Sequence, residues 1–413
     1  MRPPAAILIA LGLFCGNASA QQTIVVSPSG KFRSVTAAIS AARPHDRILV
    51  KTGLYREPTI VVGKPVEIIG EGFPILDGAG AREIMRVDAD SVTIRGIHFE
   101  HVGASFVEDW AAVKVINASG CAIEDNIIDD ALFGIYLARV SGCSIKRNRI
   151  HASRGREMIS GNGIHLWQSR DITIADNRIS GHRDGIYFEF VRNSTITGNV
   201  SEKNLRYGLH FMFSDDCRYI GNVFRNNGAG VAVMFTHRVQ MIGNRFENNW
   251  GGAAYGLFLK EISDSRLERN VFARNTVALV ADGANRLQAI DNDFIDNGWA
   301  VKLEASTDEA LFSRNNFVGN TFDVATNSSR QSAVFAGNYW QDYAGYDLNR
   351  DGVGDVPFRP VRLFSMVVAQ NAPSIILLRS PFVRLLDTAE RVIPALTPEM
   401  LADASPAMRR IRW

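Results

Sequence analysis

Residues 199–244 run Asn199-Val-Ser-Glu-Lys-Asn-Leu-Arg-Tyr-Gly208-Leu-His-Phe-Met-Phe-Ser-Asp-Asp-Cys217-Arg-Tyr-Ile-Gly-Asn222-Val-Phe-Arg-Asn-Asn-Gly-Ala-Gly230-Val-Ala-Val-Met-Phe-Thr-His-Arg-Val-Gln-Met-Ile-Gly-Asn244. Each interval holds short runs of alternating apolar and polar residues, separated by Asn, Gly or Asp. Such alternation marks short strands with one buried face. Asn and Gly tolerate positive φ and turn the corners. Outward from here the same Asn recurs at Asn126, Asn148, Asn177, Asn199, Asn222, Asn244, Asn270, Asn292, Asn316 and Asn338, 22 to 29 residues apart. In step with it run Gly134-Ile-Tyr-Leu, Gly163-Ile-His-Leu, Gly185-Ile-Tyr-Phe, Gly208-Leu-His-Phe, Gly230-Val-Ala-Val and Gly256-Leu-Phe-Leu. A unit of this length is too short for a propeller blade and lacks helical periodicity. It fits one coil of a right-handed parallel β-helix. Stacked coils bring the Asn side chains into an inward amide ladder, each satisfying the next. The spacing predicts roughly twelve coils and a length of about 58 Å.

The 413 residues carry 45 Lys+Arg against 43 Asp+Glu, a net charge of +2. That balance argues against a nucleic-acid binder, and the 46% apolar content excludes a disordered chain. Residues 1–20 read as a signal peptide: Arg2, an apolar run from Ala5 to Phe14, and Ala18-Ser19-Ala20 before the cut. Phe14 before Cys15 does not match a lipobox. Export to a bacterial periplasm is the expectation. Residues 21–52 then form an N-terminal cap, with strands Thr23–Val26 and Ile48–Val50 and a helix over Ser34–Ala42; His45-Asp46 is turn structure. Residues 53–345 form the β-helix, 346–361 an Asp/Gly-rich loop and 362–413 a tail. Insertions at Ala104–Trp110, Arg154–Ser160 and Trp250–Ala254 shape one face.

The second and fourth residues after each Gly point outward. The second are Tyr136, His165, Tyr187, His210, Ala232 and Phe258; the fourth are Ala138, Trp167, Glu189, Met212, Met234 and Lys260. An outer stripe this rich in aromatics, His and Met marks an interaction site, unless a loop or the tail packs over it. His165, His210, Met212 and Met234 are suitable donors for Cu(I), and Tyr136, Trp167, Tyr187 and Phe258 are candidate partner contacts. Cys121, Cys143 and Cys217 share one coil position, five residues before an Asn. They read as buried fillers, with Cys121 and Cys143 near enough to bond. Asp347, Asn349, Asp351 and Asp355 match the first half of a calcium loop, but Phe358 stands where a bidentate Glu belongs. In the tail, Ile375–Leu378 reads as a strand. Ser380-Pro381 opens an amphipathic helix with Phe382, Leu385, Leu386, Ala389, Val392 and Ile393 on one face, for capping or docking. Many β-helices act on polysaccharides, which needs charged groups converging in a groove. No compact triad stands out here, so a polysaccharide-binding or polysaccharide-modifying protein is the alternative and a non-enzyme the leading reading.

Tyr207-Gly-Leu-His-Phe-Met-Phe-Ser214, Gly228-Ala-Gly-Val-Ala-Val-Met-Phe235 and Gly337-Asn-Tyr-Trp-Gln-Asp-Tyr-Ala-Gly-Tyr-Asp-Leu-Asn-Arg-Asp-Gly-Val-Gly-Asp-Val-Pro357 resemble the NosD family of periplasmic maturation factors for nitrous oxide reductase. The resemblance spans the chain from lid helix to tail. It implies a non-catalytic accessory protein for assembly of the reductase's copper centre. The implied partners are an ATP-binding-cassette permease and ATPase of the NosY and NosF type, a copper-chaperone lipoprotein of the NosL type, and the reductase apoprotein. It assigns no metal contact to a particular residue of this sequence.

Overall fold

In the computed structural model, which describes residues 21–105, 107–153, 160–251, 254–328, 332–378, 380–392 and 401–413, three sheets of 14, 12 and 13 strands run the length of the molecule. After the first pair of the 14-stranded sheet, Thr23–Val26 with Arg47–Lys51, each sheet takes every third strand in chain order and every strand pair is parallel, which makes a right-handed parallel β-helix of three strands per coil. The described strands make about 13 coils, one more than the roughly twelve expected from the spacing. The signal-peptide reading falls on residues 1–20, outside the described residues, as do Arg154–Ile159 and Ile393.

Corner chemistry explains the coil. The residue before each ladder Asn has φ between 52° and 68°: Gly198, Gly221, Gly243 and Gly337 in four coils, and Asp125, Arg147, Asp176, Arg269, Asp291 and Arg314 in six. One left-handed residue bends the chain from one sheet to the next. The following Asn then points inward, where its backbone N–H and its Nδ2 both donate to Oδ1 of the Asn one coil on, at 2.9–3.1 Å. One member differs from the expectation. The ladder passes through Asn315, which follows left-handed Arg314. Asn316 instead joins Asp293 and the Ile411 carbonyl of the tail. In an Asn-Asn pair the spacing rule fits either residue, and the corner geometry selects the first.

A second ladder, Asn204, Asn227, Asn249, Asn275, Asn297 and Asn320, runs five residues behind the first at the next corner. Between the two, Phe224, Phe246, Phe272, Phe294, Phe317 and Trp340 stack inside the solenoid with centroids 4.1–5.7 Å apart.

Helix α1 (Val35–Ala41) closes the first coil, with Val35, Ala38 and Ile39 buried and Ser34 Oγ accepting from the Ala37 N–H. Asp46 accepts from the backbone N–H groups of Gln22 and Arg43, the turn role expected of it. At the far end, α2 (Leu363–Gln370) and α3 (Pro381–Val392) lie on the outer side of the 12-stranded sheet, where Phe364, Val368 and Val383 pack with Trp299, Phe322 and Ala325. Of the residues expected as a strand, Ile375–Leu377 belong to a 3-10 helix, Ala372–Leu377, and Leu378 caps it. A coil repeat no longer supplies a pairing edge there, so the short apolar run winds instead. Residues 401–413 return to the last coils, where Asp403 pairs with Phe335 and Phe358 and Ala407 with Tyr339.

Candidate functional site

Strand register sets out the site. On the outer side of the 12-stranded sheet, Tyr136, His165, Tyr187, His210, Ala232 and Phe258 pair in succession, and beside them Ala138, Trp167, Glu189, Met212, Met234 and Lys260. These are the two outward columns expected from the sequence. They are not freely exposed. The rings lie on one another: Tyr136 on His165 at 4.5 Å, His165 on Tyr187 at 4.7 Å, and Tyr187 edge-on to His210 at 5.1 Å. Tyr207, Ala229, Ala232, Met234, Tyr255 and Phe258 close a small apolar cluster around the middle of the face. The tail helices α2 and α3 pack further along the same sheet, past Phe258 and Lys260, around Val280 and Ala325.

The four proposed Cu(I) donors separate into two groups. Met212 and Met234 are direct register partners, and His210 precedes Met212 by two residues on the same strand. His165 lies two strands away, sandwiched between tyrosine rings, with Nδ1 beside Asn162 Nδ2 at 2.9 Å. Burial, with Arg183 nearby, pulls its imidazole down to about 3, so it stays neutral. Burial and the neighbouring Glu189 push the Tyr187 phenol up to about 12, which keeps its O–H a donor, with Glu189 Oε2 at 3.4 Å and Met212 Sδ at 3.9 Å as its two acceptors.

His210 is 5% exposed, and neither ring nitrogen has a hydrogen-bond partner. Asp184, fully buried, has Oδ2 3.6 Å from His210 Nδ1. The sequence reading missed Asp184. Its signal was available: the residue before the Gly is Phe133, Asn162, Tyr207, Ala229 and Tyr255 in other coils, and a carboxylate only here. Charged groups therefore converge more than the sequence suggested, although ring packing shuts them from an open groove.

Partner-contact candidates fall into different settings. Tyr136 is buried, Trp167 and Phe258 are half-buried, and Arg139 lies over the Trp167 ring at 5.3 Å. Sequence reasoning passed over Phe190, Phe213 and Phe235, which stack at 5.2 and 5.0 Å on the exposed corner next to Glu189, Met212 and Met234. In α3, Phe382 and Leu385 are exposed while Leu386 packs inward with Val383. Val392 ends the helix. Cys121, Cys143 and Cys217 are buried free thiols, the Cys121 N–H facing Cys143 Sγ at 3.3 Å. In the Asp/Gly-rich loop the carboxylates and the amide face backbone N–H groups: Asp347 accepts from Asp351 and Gly352, Asn349 from Asp351, Asp351 from Val353 and Asp355 from Leu348. Among the described residues the one close His/carboxylate trio is Asp77, Glu100 and His101, and Arg56 also pairs with its Asp77.

Fold and site together define a right-handed parallel β-helix whose outer face holds soft donors beneath stacked rings. Residues 152–345 match the family model described as periplasmic copper-binding protein (NosD), and residues 83–211 match the right-handed β-helix region. The chain is 31% identical over 401 residues to the probable ABC transporter binding protein NosD of Pseudomonas aeruginosa, covering 84% of this chain and 85% of the relative. The NosD of Stutzerimonas stutzeri, described in the same words, is 26% identical, with 84% of each covered. The chain belongs to the NosD family. Solved structures share the fold alone. A Yersinia enterocolitica family 28 exopolygalacturonase has a TM-score of 0.55 at 9% identity, covering 76% of this chain and 78% of that one. The A-module of the Azotobacter vinelandii mannuronan C-5 epimerase AlgE6 has a TM-score of 0.51 at 17% identity, covering 74% and 89%.

Proposed function

We propose that this chain is a non-catalytic periplasmic accessory protein for assembling the copper centre of nitrous oxide reductase. In this reading it receives Cu(I) from a chaperone lipoprotein of the NosL type and serves the reductase apoprotein. It is docked to a permease and ATPase of the NosY and NosF type, through the exposed apolar side of the tail. The observation that carries the reading is the orphaned His210 ring beside the Met212–Met234 pair. Thioether and imidazole are soft and borderline donors that suit Cu(I). A buried imidazole without partners is costly unless something pairs with it.

Competition against a Cu(I) chelator tests it. A His210→Ala/Met212→Ala/Met234→Ala variant should bind Cu(I) more weakly than the parent, and His165→Ala should match the parent. Equal affinity in the triple variant removes this site. The polysaccharide alternative needs acid and base groups open to a polymer, and the closure of Asp184 and His210 counts against it. Calcium at Asp347, Asn349, Asp351 and Asp355 is a separate proposal; a thermal midpoint unmoved by a chelator would end it.

A further inference from the structure

We infer that Asp184 is a positioning residue for the soft-metal site: its carboxylate takes the Nδ1 proton of His210 as a hydrogen bond and leaves Nε2 as the bare nitrogen presented to Cu(I). The inference rests on the copper reading above and adds to it a group that touches no metal.

Asp184 opens the strand Asp184–Glu189, directly before the strand Tyr207–Met212 that carries His210. Oδ1 accepts the Tyr207 N–H at 3.3 Å. Oδ2 has no hydrogen-bond partner, and the structure puts two candidates near it: His210 Nδ1 at 3.6 Å and Arg183 Nε at 3.7 Å. Arg183 Nε is likewise buried and unpaired, while a terminal nitrogen of the same side chain donates to Asn162 Oδ1 at 3.3 Å; Oδ2 carries lone pairs enough to accept from both Arg183 and His210. Among the described residues neither His210 nitrogen has a hydrogen-bond partner, and Asp184 Oδ2 is the acceptor paired with Nδ1 at 3.6 Å.

The ring is also restrained. It lies edge-on to Tyr187 and tilted against Tyr207 at 4.8 Å, and the Tyr207 hydroxyl meets that of Tyr255 at 3.4 Å. At 3.6 Å the pair lies just outside hydrogen-bond range, so the bond requires the contact to shorten. Burying a carboxylate with one backbone donor is expensive, and no other coil does so at this position. A metal-ligating histidine ordinarily donates its second N–H to a carboxylate or carbonyl, which fixes tautomer and orientation, and loss of that partner typically costs 10–100-fold in metal affinity.

The test uses the mature chain labelled with 15N-histidine, with Cu(I) alone as the metal probe. Two variants are compared: Asp184→Leu, near-isosteric and without an acceptor, and Asp184→Asn, which keeps one. His210 signals are identified by their loss in His210→Ala. In the parent, nitrogen shifts should report the Nδ1–H tautomer. Asp184→Leu should lose that tautomer and about tenfold or more of Cu(I) affinity, with β circular dichroism unchanged. Asp184→Asn should fall between the two. A Leu variant with the parent's tautomer, or with an altered tautomer but the parent's affinity, overturns the inference. A parent that binds no Cu(I) refutes the copper reading instead; the metal-free tautomer comparison then still decides whether Asp184 sets the ring.

Discussion

Asp323 sits on the last strand of the 12-stranded sheet, Phe322–Thr326, between Phe322 and Ala325, against which the C-terminal helices pack. Burial pushes its carboxyl up to about 7, against the opposing pull of the Asn320 amide and the Arg362 charge. The folded state therefore holds this proton more tightly than the unfolded chain, whose ordinary value is 3.8. The resulting stability is fully present below about 4 and is lost as pH rises through about 7. Three units correspond to about 4 kcal/mol at most. Asp323→Asn removes the charge but keeps the shape. It should raise the thermal midpoint at pH 8 and change it little at pH 4. A variant that tracks the parent at both pH values contradicts this account.

At the scale of the element, the tail divides its apolar residues between two jobs. Isolated helices of this length are marginal in water, so α3 must bury one side. Val383 and Leu386 do this against α2, whereas Phe382 and Leu385 remain 52% and 69% exposed. Sequence periodicity placed Phe382, Leu385 and Leu386 on one face; the buried side is rotated from it, because α2 meets the helix at Val383. Replacing Phe382 and Leu385 with Ser should abolish capture of the permease from detergent-solubilised membranes while leaving the thermal midpoint nearly unchanged. Val383→Ser should instead cost about 1.5–3 kcal/mol. Capture that survives the surface double substitution rules out this docking side.

The coil repeat was legible because one corner residue and one Asn recur in each unit, and strand alternation follows between them. The columns carrying Tyr187, His210 and Met212 were legible for the same reason. Asp184 stood out only as the single carboxylate at its coil position, and its meaning depends on a His one coil away in space and 26 residues away in sequence. The second ladder was hidden by the variable sequence around Asn204 and Asn227, and the Asn315–Asn316 pair by its own ambiguity.

For the whole molecule, a stack of coils is stable only if its ends are finished, since each coil borrows its partners from the next. The Asn ladder ends on a residue from the tail. Asp403, fully buried, accepts from the N–H groups of Gly337 and Asn338, from Asn338 Nδ2 and from Trp340 Nε1 at 2.9–3.0 Å. A carboxylate suits this place because it accepts only, where a further Asn would offer a donor with no coil beyond it. Arg410 adds an ion pair with Asp293. Removing residues 379–413 would therefore take the ladder's terminator with it. Asp403→Ala leaves several buried donors unpaired and should cost about 3–5 kcal/mol. Coupling in a solenoid runs between neighbours, so the damage should decay along the axis. Hydrogen exchange should therefore accelerate in the coils around Asn292, Asn315 and Asn338, while those around Asn148 and Asn177 keep the parent's protection. Uniform acceleration along the chain would show instead that the solenoid unfolds as one unit. An unchanged rate near Asn338 would show that Asp403 does not terminate the stack.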